Sequence, residues 1–590
     1  MNLLCTALFS CLLALLSVVA EGKPSPCARL GPAFPYPTQL ASSHSFRRSL
    51  DLLSYRIGAA LKDPTSGIDA ENVTFSLNLY TVTDEKPIYE YHHVATRFQG
   101  SLPKGGLNGD SVYRTGSISK VFAVYTFLAA EGFKYFQDPI TKYIPELAAI
   151  PVQNEIDQPR WDEVTVGSLA THLSGIFSDV TVPDLSQDPT LPIPNGAFPP
   201  IGPNDRMRCG FFPPLHQCSR KEIFDGLKLK HPIYQAFSSS PAYSNTAFTL
   251  LAFALEKITG KSFEKVMDEE IVKPLGLTRT SLEHPIEDSW GVIPFNNSLA
   301  WWNISIGLES PAGGVYSTSN DLARFGRSIL GSALLKPVDT RRFLNPASSV
   351  GVLDGSVGIP WEIYRTTEPR IIDLTTKGGS IGLYNSHMIL VRDFNIGVTV
   401  LAAGNRARFT KEALADLFVE TLIPRIEEEA RREAYRHYAG KYHAPGRNSS
   451  IVLGVDRNQP GLVIESFVSN GTDMIALVKS LFASDQSSTM SLRLHPTLLK
   501  AESECPRSMN SNSCVDLSFR AVLDEQTVAS HDENRNQQVI GGLCKGQWFE
   551  ADSLVWGRVA LDDFKFTVDR GSGNAISLEP RALKVKLYKV

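Results

Sequence analysis

At 590 residues, 43% hydrophobic and 20% charged, the chain is long enough for two or three domains and has a globular composition, not a disordered or fibrous one. A formal net charge of −4, with Lys and Arg scattered, gives no reason to expect nucleic acid as a partner. No Gly-rich phosphate loop, H-E-x-x-H or paired C-x-x-C occurs, so no metal and no cofactor are expected.

The first twenty residues, MNLLCTALFSCLLALLSVVA, are an apolar run ending in small residues, Val18 and Ala20, spaced for signal-peptidase cleavage before Glu21. An uncleaved anchor is the alternative, because the run nears spanning length and its start lacks Lys or Arg. The flank turns Pro-rich at once, so export is the expectation: a secreted protein with no stable membrane insertion. Five N-x-S/T sequons, at Asn72, Asn296, Asn303, Asn448 and Asn470, fit that route. Without Cys5 and Cys11 of the signal, six cysteines remain, an even number that suits an oxidising compartment. Cys209 and Cys218 are expected to close a short loop. Cys505, Cys514 and Cys544 form an odd set, and parity pairs Cys27 with one of them.

After an N-terminal tail (21–45), residues 46–62 have helical apolar spacing, and NVTFSLNLYTVT and KPIYEYHHV alternate as two strands. A helix starts near Ser117, and others are predicted at 165–173, 244–258, 262–273, 319–331 and 409–434. Strands return at 370–376, 382–391 and 395–403. Strands at both ends with helices between predict an α+β domain over 46–430: one antiparallel sheet flanked by helices, with an all-helical insert. Residues 179–220 are dense in Pro and Gly, an insert that either walls a site or is a disordered excursion. From 435 to 590, short alternating runs at turn-rich intervals predict an all-β domain, a small barrel or sandwich.

The chemistry concentrates at Ser117-Ile118-Ser119-Lys120. A serine and a lysine three residues apart share a helix face, roughly 5–6 Å apart at Cβ, close enough for the amine to take the hydroxyl proton. Ser262-Phe263-Glu264-Lys265 has the same spacing, but it follows TG and opens an amphipathic run, so Ser262 reads as a helix N-cap. Tyr243 and Asn245, in PAYSN, lie between a turn-rich run and a helix. Lys377, Gly378, Gly379 and Ser380 lie in the strand region, where glycines admit close backbone approach and a strand edge can offer N–H groups to an oxyanion.

S-x-x-K, Y-x-N and K-x-G in that order resemble the motifs of serine β-lactamases and penicillin-binding proteins, most of all the class C type and secreted fungal β-lactamase-like proteins. TVGSLATHLSGI, EKITGKSFEKVMDEEIVKPLGL and SPAGGVYSTSNDLARF also resemble that family in order and position. The resemblance implies a β-lactamase/transpeptidase-like fold and a serine hydrolase acting on a small molecule or peptide. In it Ser117 is acylated, Lys120 or Tyr243 takes its proton, and the N–H groups of Ser117 and Ser380 hold the oxyanion. Asn245 would hold a substrate amide, and Lys377 would supply positive potential. One departure matters: Gly378 stands where many members carry a threonine near the substrate carboxylate.

Three rivals remain. Gly378-Gly379-Ser380-Ile381-Gly382 fits the G-x-S-x-G nucleophile elbow, which requires a helix directly after the serine. A non-catalytic binding protein of the same fold would leave Lys120 a surface charge, Tyr243 a core edge and Asn245 a helix cap. Acyl transfer to an acceptor other than water would use the same residues.

Overall fold

The computed structural model describes residues 29–590 except 182–196, 203–207, 212–214, 458, 483–488, 506–512 and 527–550. Two compact units emerge: Thr38–Thr366 with Ile372–Ile426, and the remainder, comprising the chain up to Pro37, Thr367–Ile371 and Glu427–Val590.

The larger unit is built on an eight-stranded antiparallel sheet. Its strands are β1 (Val73–Thr81), β2 (Tyr89–His93), β3 (Ser348–Ser349), β4 (Gly355–Val357), β5 (Glu362–Thr366), β6 (Ile372–Ile381), β7 (Tyr384–Val391) and β8 (Ile396–Gly404), in the order β2-β1-β8-β7-β6-β5-β4-β3. The first strand pairs with the last, Val73 opposite Gly404, so the two ends of the domain meet in one sheet as expected. Alternation assigns the faces. Phe75, Leu77 and Leu79 of β1 join Val398 and Val400 of β8 against α1 (His44–Ala60) and the residues Leu414, Phe418 and Leu422 of a long helix, Ala407–Tyr438. Helix α1 is capped by Ser43, which accepts from the Phe46 N–H, and it buries Phe46, Leu53 and Ile57 on one stripe.

The opposite face carries the helical insert. Its centre is α2 (Ser119–Glu131), buried from Ser119 to Leu128, which packs with α3 (Thr246–Thr259) and α4 (Ser319–Leu330). A helix apolar on nearly every side is an interior element, so any polar group it carries is held there for a reason. Ser262 caps a short helix, Phe263–Met267, by accepting from the Lys265 N–H, and takes no further part. In the Pro-rich insert, Cys209 and Cys218 are disulfide-bonded and buried, and Phe211 packs edge-on to Trp301; Phe212 and most of the rest lie outside the described residues.

The smaller unit resolves the choice between barrel and sandwich. Its strands are β9 (Gly440–His443), β10 (Ser450–Val455), β11 (Leu462–Ser469), β12 (Thr472–Asp473), β13 (Thr489–Ser503), β14 (Cys514–Gln526), β15 (Asp563–Asp569), β16 (Ala575–Pro580) and β17 (Leu587–Lys589). They run β10-β9-β17-β16-β15-β14-β13-β11-β12, and β10 also pairs with β11. That last pairing closes eight strands into an antiparallel barrel, with the short β12 outside the ring. Its inner side is filled at one level by Tyr438, Tyr442, Phe519 and Phe566, whose rings meet edge-on or tilted. Cys505 pairs with Cys514, which removes both from the candidates for Cys27; Cys27 and Cys544 lie outside the described residues. All five sequon asparagines are exposed. No helix among the described residues is long and apolar enough to cross a membrane.

Candidate active site

Ser117 sits in a single 3₁₀ turn, Gly116–Ile118, that feeds straight into α2. One turn later Lys120 is fully buried, at 0% exposure, and its Nζ donates to Ser117 Oγ at 3.0 Å, Asn245 Oδ1 at 2.6 Å and the Ala312 carbonyl at 2.8 Å. A surface lysine has no such shell. Burial pushes its pKa down, Tyr243 opposes that shift, and Lys377 adds to it.

Tyr243 Oη donates to Ser117 Oγ at 2.6 Å. Two-fifths of the tyrosine's surface is open, at 41%, yet its hydroxyl end lies among buried lysines, with Lys120 Nζ 4.8 Å and Lys377 Nζ 5.3 Å from the ring centre. Burial favours the neutral phenol, but the two ammonium groups and the hydrogen bonds outweigh it, so its pKa falls below the ordinary value. Serine hydroxyl, amine and phenol thus form one hydrogen-bonded cluster, in which the charges of Lys120 and Tyr243 bias each other's titration.

The loop holding Tyr243 is set by backbone contacts with THLSGI. The Ala242 N–H donates to the His172 carbonyl at 2.9 Å, and the Asn245 N–H to Ser178 O at 2.9 Å. His172 has φ +60°, stacks its ring on Tyr243 at 4.6 Å and accepts from the Ser244 N–H at 3.3 Å through Nδ1. Burial, with Lys377 and Lys120 nearby, holds its pKa at about 3, so it is a neutral wall and not a base. Nothing in the spacing of the sequence marked it.

Asn245 stands at the N-cap position of α3, but its side chain makes no capping bond. Its Oδ1 faces Lys120, and its Nδ2 donates to Asp179 Oδ1 at 2.8 Å. Both ends of the amide are therefore engaged inside the protein. The partner, Asp179, is the first residue of the Pro-rich stretch and carried no sequence signal of its own.

Strand β6 brings in Lys377 to Ser380. It lies inside the sheet, but its neighbour β5 stops at the pair Glu362–Thr376, so residues 377–381 keep one edge open. N–H groups two apart on a strand point to the same edge. Along that edge the Gly378 N–H is taken by Glu362 Oε2 at 3.0 Å, and the Ser380 N–H is next in line. A Cβ on Gly116 (φ +53°) would lie 2.5 Å from Ser380 N, and one on Gly379 would lie 2.9 Å from Ser117 N and 2.0 Å from the Thr115 carbonyl. Gly116 and Gly379 therefore admit the approach of the serine turn to the strand. The backbones of Ser117 and Ser380 run close together. Lys377, 1% exposed, pairs with Glu362 Oε1 at 2.5 Å. Burial opposes the Glu362 charge, but Lys377 dominates and holds that carboxyl at about 2. After Ser380 the chain turns at Gly382 into β7, with no helix, so the nucleophile-elbow reading fails.

Comparison with known proteins gives the family. The beta-lactamase family profile matches residues 67–420, more than half of the chain, and a profile described as beta-lactamase-like-like, C-terminal domain, matches residues 430–590. The chain belongs to the beta-lactamase family. Over 587 aligned residues it is 29% identical to a beta-lactamase-like protein of Arthroderma benhamiae, with 94% of each chain covered. It is 23% identical to a probable hydrolase, M10, of a Phoma species, over 95% of this chain and 91% of the relative. A class C beta-lactamase from Rhodobacter sphaeroides aligns in structure at a TM-score of 0.42 and 17% identity, covering 64% of this chain and 99% of that enzyme. Two of the phrases by which the sequence resembles beta-lactamases have a local task here. THLSGI carries the tyrosine loop, and SPAGG supplies the carbonyl that receives Lys120.

Proposed function

We propose that this beta-lactamase family member is a secreted serine hydrolase that cleaves a neutral ester or amide through an acyl-enzyme on Ser117. One observation carries the reading: Ser117 Oγ is bonded at once by Tyr243 Oη at 2.6 Å and by a fully buried Lys120 at 3.0 Å. A member kept only for its fold would have no reason to hold a lysine in its interior against the cost of burying a charge.

The steps follow from the positions. The lysine–tyrosine pair takes the Ser117 proton as Oγ bonds to the carbonyl carbon, and the carbonyl electron pair moves onto oxygen beside the Ser117 and Ser380 N–H groups. Collapse expels the alcohol or amine, protonated through Tyr243. Water then adds to the acyl carbon, gives its proton to the same pair, and Ser117 leaves with it.

The two polar handles that would read substrate flanks are satisfied internally, Lys377 by Glu362 and Asn245 by Lys120 and Asp179. That favours substrates without a carboxylate beside the scissile bond. Export is supported by the hydrophobic start, the two disulfides and the exposed sequons.

The test is a fluorophosphonate label followed by peptide mass mapping, with p-nitrophenyl esters, D-amino-acid amides and a chromogenic cephalosporin compared side by side. We expect an adduct on Ser117 and fastest turnover of the neutral esters. A folded protein that takes no label would make this a non-catalytic member, and fastest turnover of the cephalosporin would overturn the substrate class.

A further inference from the structure

The barrel of the smaller unit contains a cavity whose lining lies wholly within that unit. An eight-stranded barrel has an interior that side chains just fill, or that holds one small ligand. Here it does both, at different levels. Along β14 Phe519 belongs to the packed aromatic layer, and the four residues from Arg520 to Leu523 line open space. Across the ladder Leu492 faces Leu523, and Phe467 and Phe564 complete the wall, with Met474 from the helix Met474–Phe482 over one side. The cavity encloses about 100 Å³ and opens to solvent through a mouth, so it has room for a slender chain and not for a bulky ligand.

The polar side chains of the lining are few: Arg29, Arg520, Asp562 and Ser553. Arg520 donates to Asp562 Oδ1 at 2.7 Å and to Asp552 at 3.2 Å, and the second oxygen of Asp562 accepts the Asp552 N–H at 3.2 Å. Arg29 lines the same cavity and has no hydrogen-bond or ion-pair partner among the described residues. Both aspartates hydrogen-bond Arg520, so among the described residues Arg29 has no hydrogen-bonded acid of its own and stands beside a like charge. Burial and the neighbouring Arg520 each disfavour its charge, and only Asp562 offsets them. A wall without donors or acceptors selects a hydrocarbon body, because a polar one would lose its water without replacement. A guanidinium selects a planar two-oxygen anion.

We propose that this cavity binds a single-chain amphiphile bearing one carboxylate, its hydrocarbon chain between β11, β13, β14 and β15 and its carboxylate on Arg29.

The test uses the full-length protein and decanoate below its micelle concentration, followed by calorimetry and by the shift in melting temperature. Decanol is the neutral control, and Ser117→Ala a background in which no acyl chemistry interferes. Saturable one-to-one binding is expected, at least ten-fold tighter for decanoate than for decanol and unchanged in Ser117→Ala. Arg29→Gln should weaken decanoate at least ten-fold and leave decanol unaffected. Ala521→Phe, which fills the chamber, should abolish both. Arg29→Gln alters a cavity-lining side chain that holds nothing else in place, so its melting curve without ligand should match wild type even where Ala521→Phe fails to fold. Absence of saturable binding, equal affinity for decanol, or an Arg29→Gln protein that binds decanoate like wild type would each overturn the proposal.

Discussion

Glu362 places one carboxylate oxygen 2.5 Å from the Lys377 ammonium and offers the other to the Gly378 N–H at 3.0 Å. A Cβ at 378 would stand 3.4 Å from that second oxygen, an ordinary contact, so the carboxylate cap does not itself require glycine there. The cation beside the nucleophile is already neutralised. Glu362→Gln should therefore raise kcat/KM for a substrate with a carboxylate next to the scissile bond, relative to its methyl ester, by about ten-fold. An unchanged ratio would remove Glu362 from substrate selection.

Removal of the nucleophile is the plainest case. Ser117→Ala should lower hydrolysis by about 10³-fold or more, and Tyr243→Phe by about 10²-fold, measured as kcat on the best ester from the screen. The double variant should be little worse than Ser117→Ala alone, because the two act as one unit. Additive losses would place the tyrosine outside the proton path.

The pH profile tests the coupling between Lys120 and Tyr243. Lys377 helps to hold both Lys120 and Tyr243 below their ordinary values, although burial is the first influence on each. Loss of that positive charge raises both, so in Lys377→Met the acid limb of kcat/KM should move to higher pH. A limb that stays in place, or moves down, would show that another group controls it.

Gly379 has no room for a side chain. Gly379→Ala sets a carbon against the Thr115 carbonyl and Ser117 N, which should cost about 1–3 kcal/mol by urea unfolding and most of the activity. A fully active Gly379→Ala protein would mean that the strand and the serine turn are further apart than described.

Glu309 supplies a stability test with a definite sign. Burial, followed by the nearby Asp179, raises its carboxyl from 4.5 to about 7. A raised carboxyl favours folding below the unfolded value, and that contribution is lost as pH rises from 4.5 towards 7. Glu309→Gln mimics the protonated form, so it should stabilise the protein at pH 8, by on the order of 1–3 kcal/mol, and give no gain at pH 4. Equal melting shifts at both values would contradict a raised carboxyl.

The spacing of Ser117 and Lys120, the order of the three motifs and five of the eight sheet strands could be read from local pattern, whereas β3, β4 and β5 could not. Each legible feature rests on contacts between residues a few positions apart, or on alternation along a strand. Ser262 was separable from Ser117 for the same reason, since capping is a local property. Asp179, His172 and Glu362 were not legible. Asp179 lies 66 residues from Asn245, and Glu362 reaches Lys377 only because β5 pairs with β6, so neither leaves a periodic trace.

The chain alone determined which chemical groups are available and that they fall on elements able to present them, because propensity, capping and apolar period are written in neighbouring residues. Tertiary structure decided what those groups face. It spent the Asn245 amide and the Lys377 charge on internal carboxylates, and it used Gly379 of β6 to admit a serine turn. It also closed the last strands into a barrel with an unfilled end. Those outcomes depend on distances between residues far apart in sequence, and such distances exist only once the core has packed.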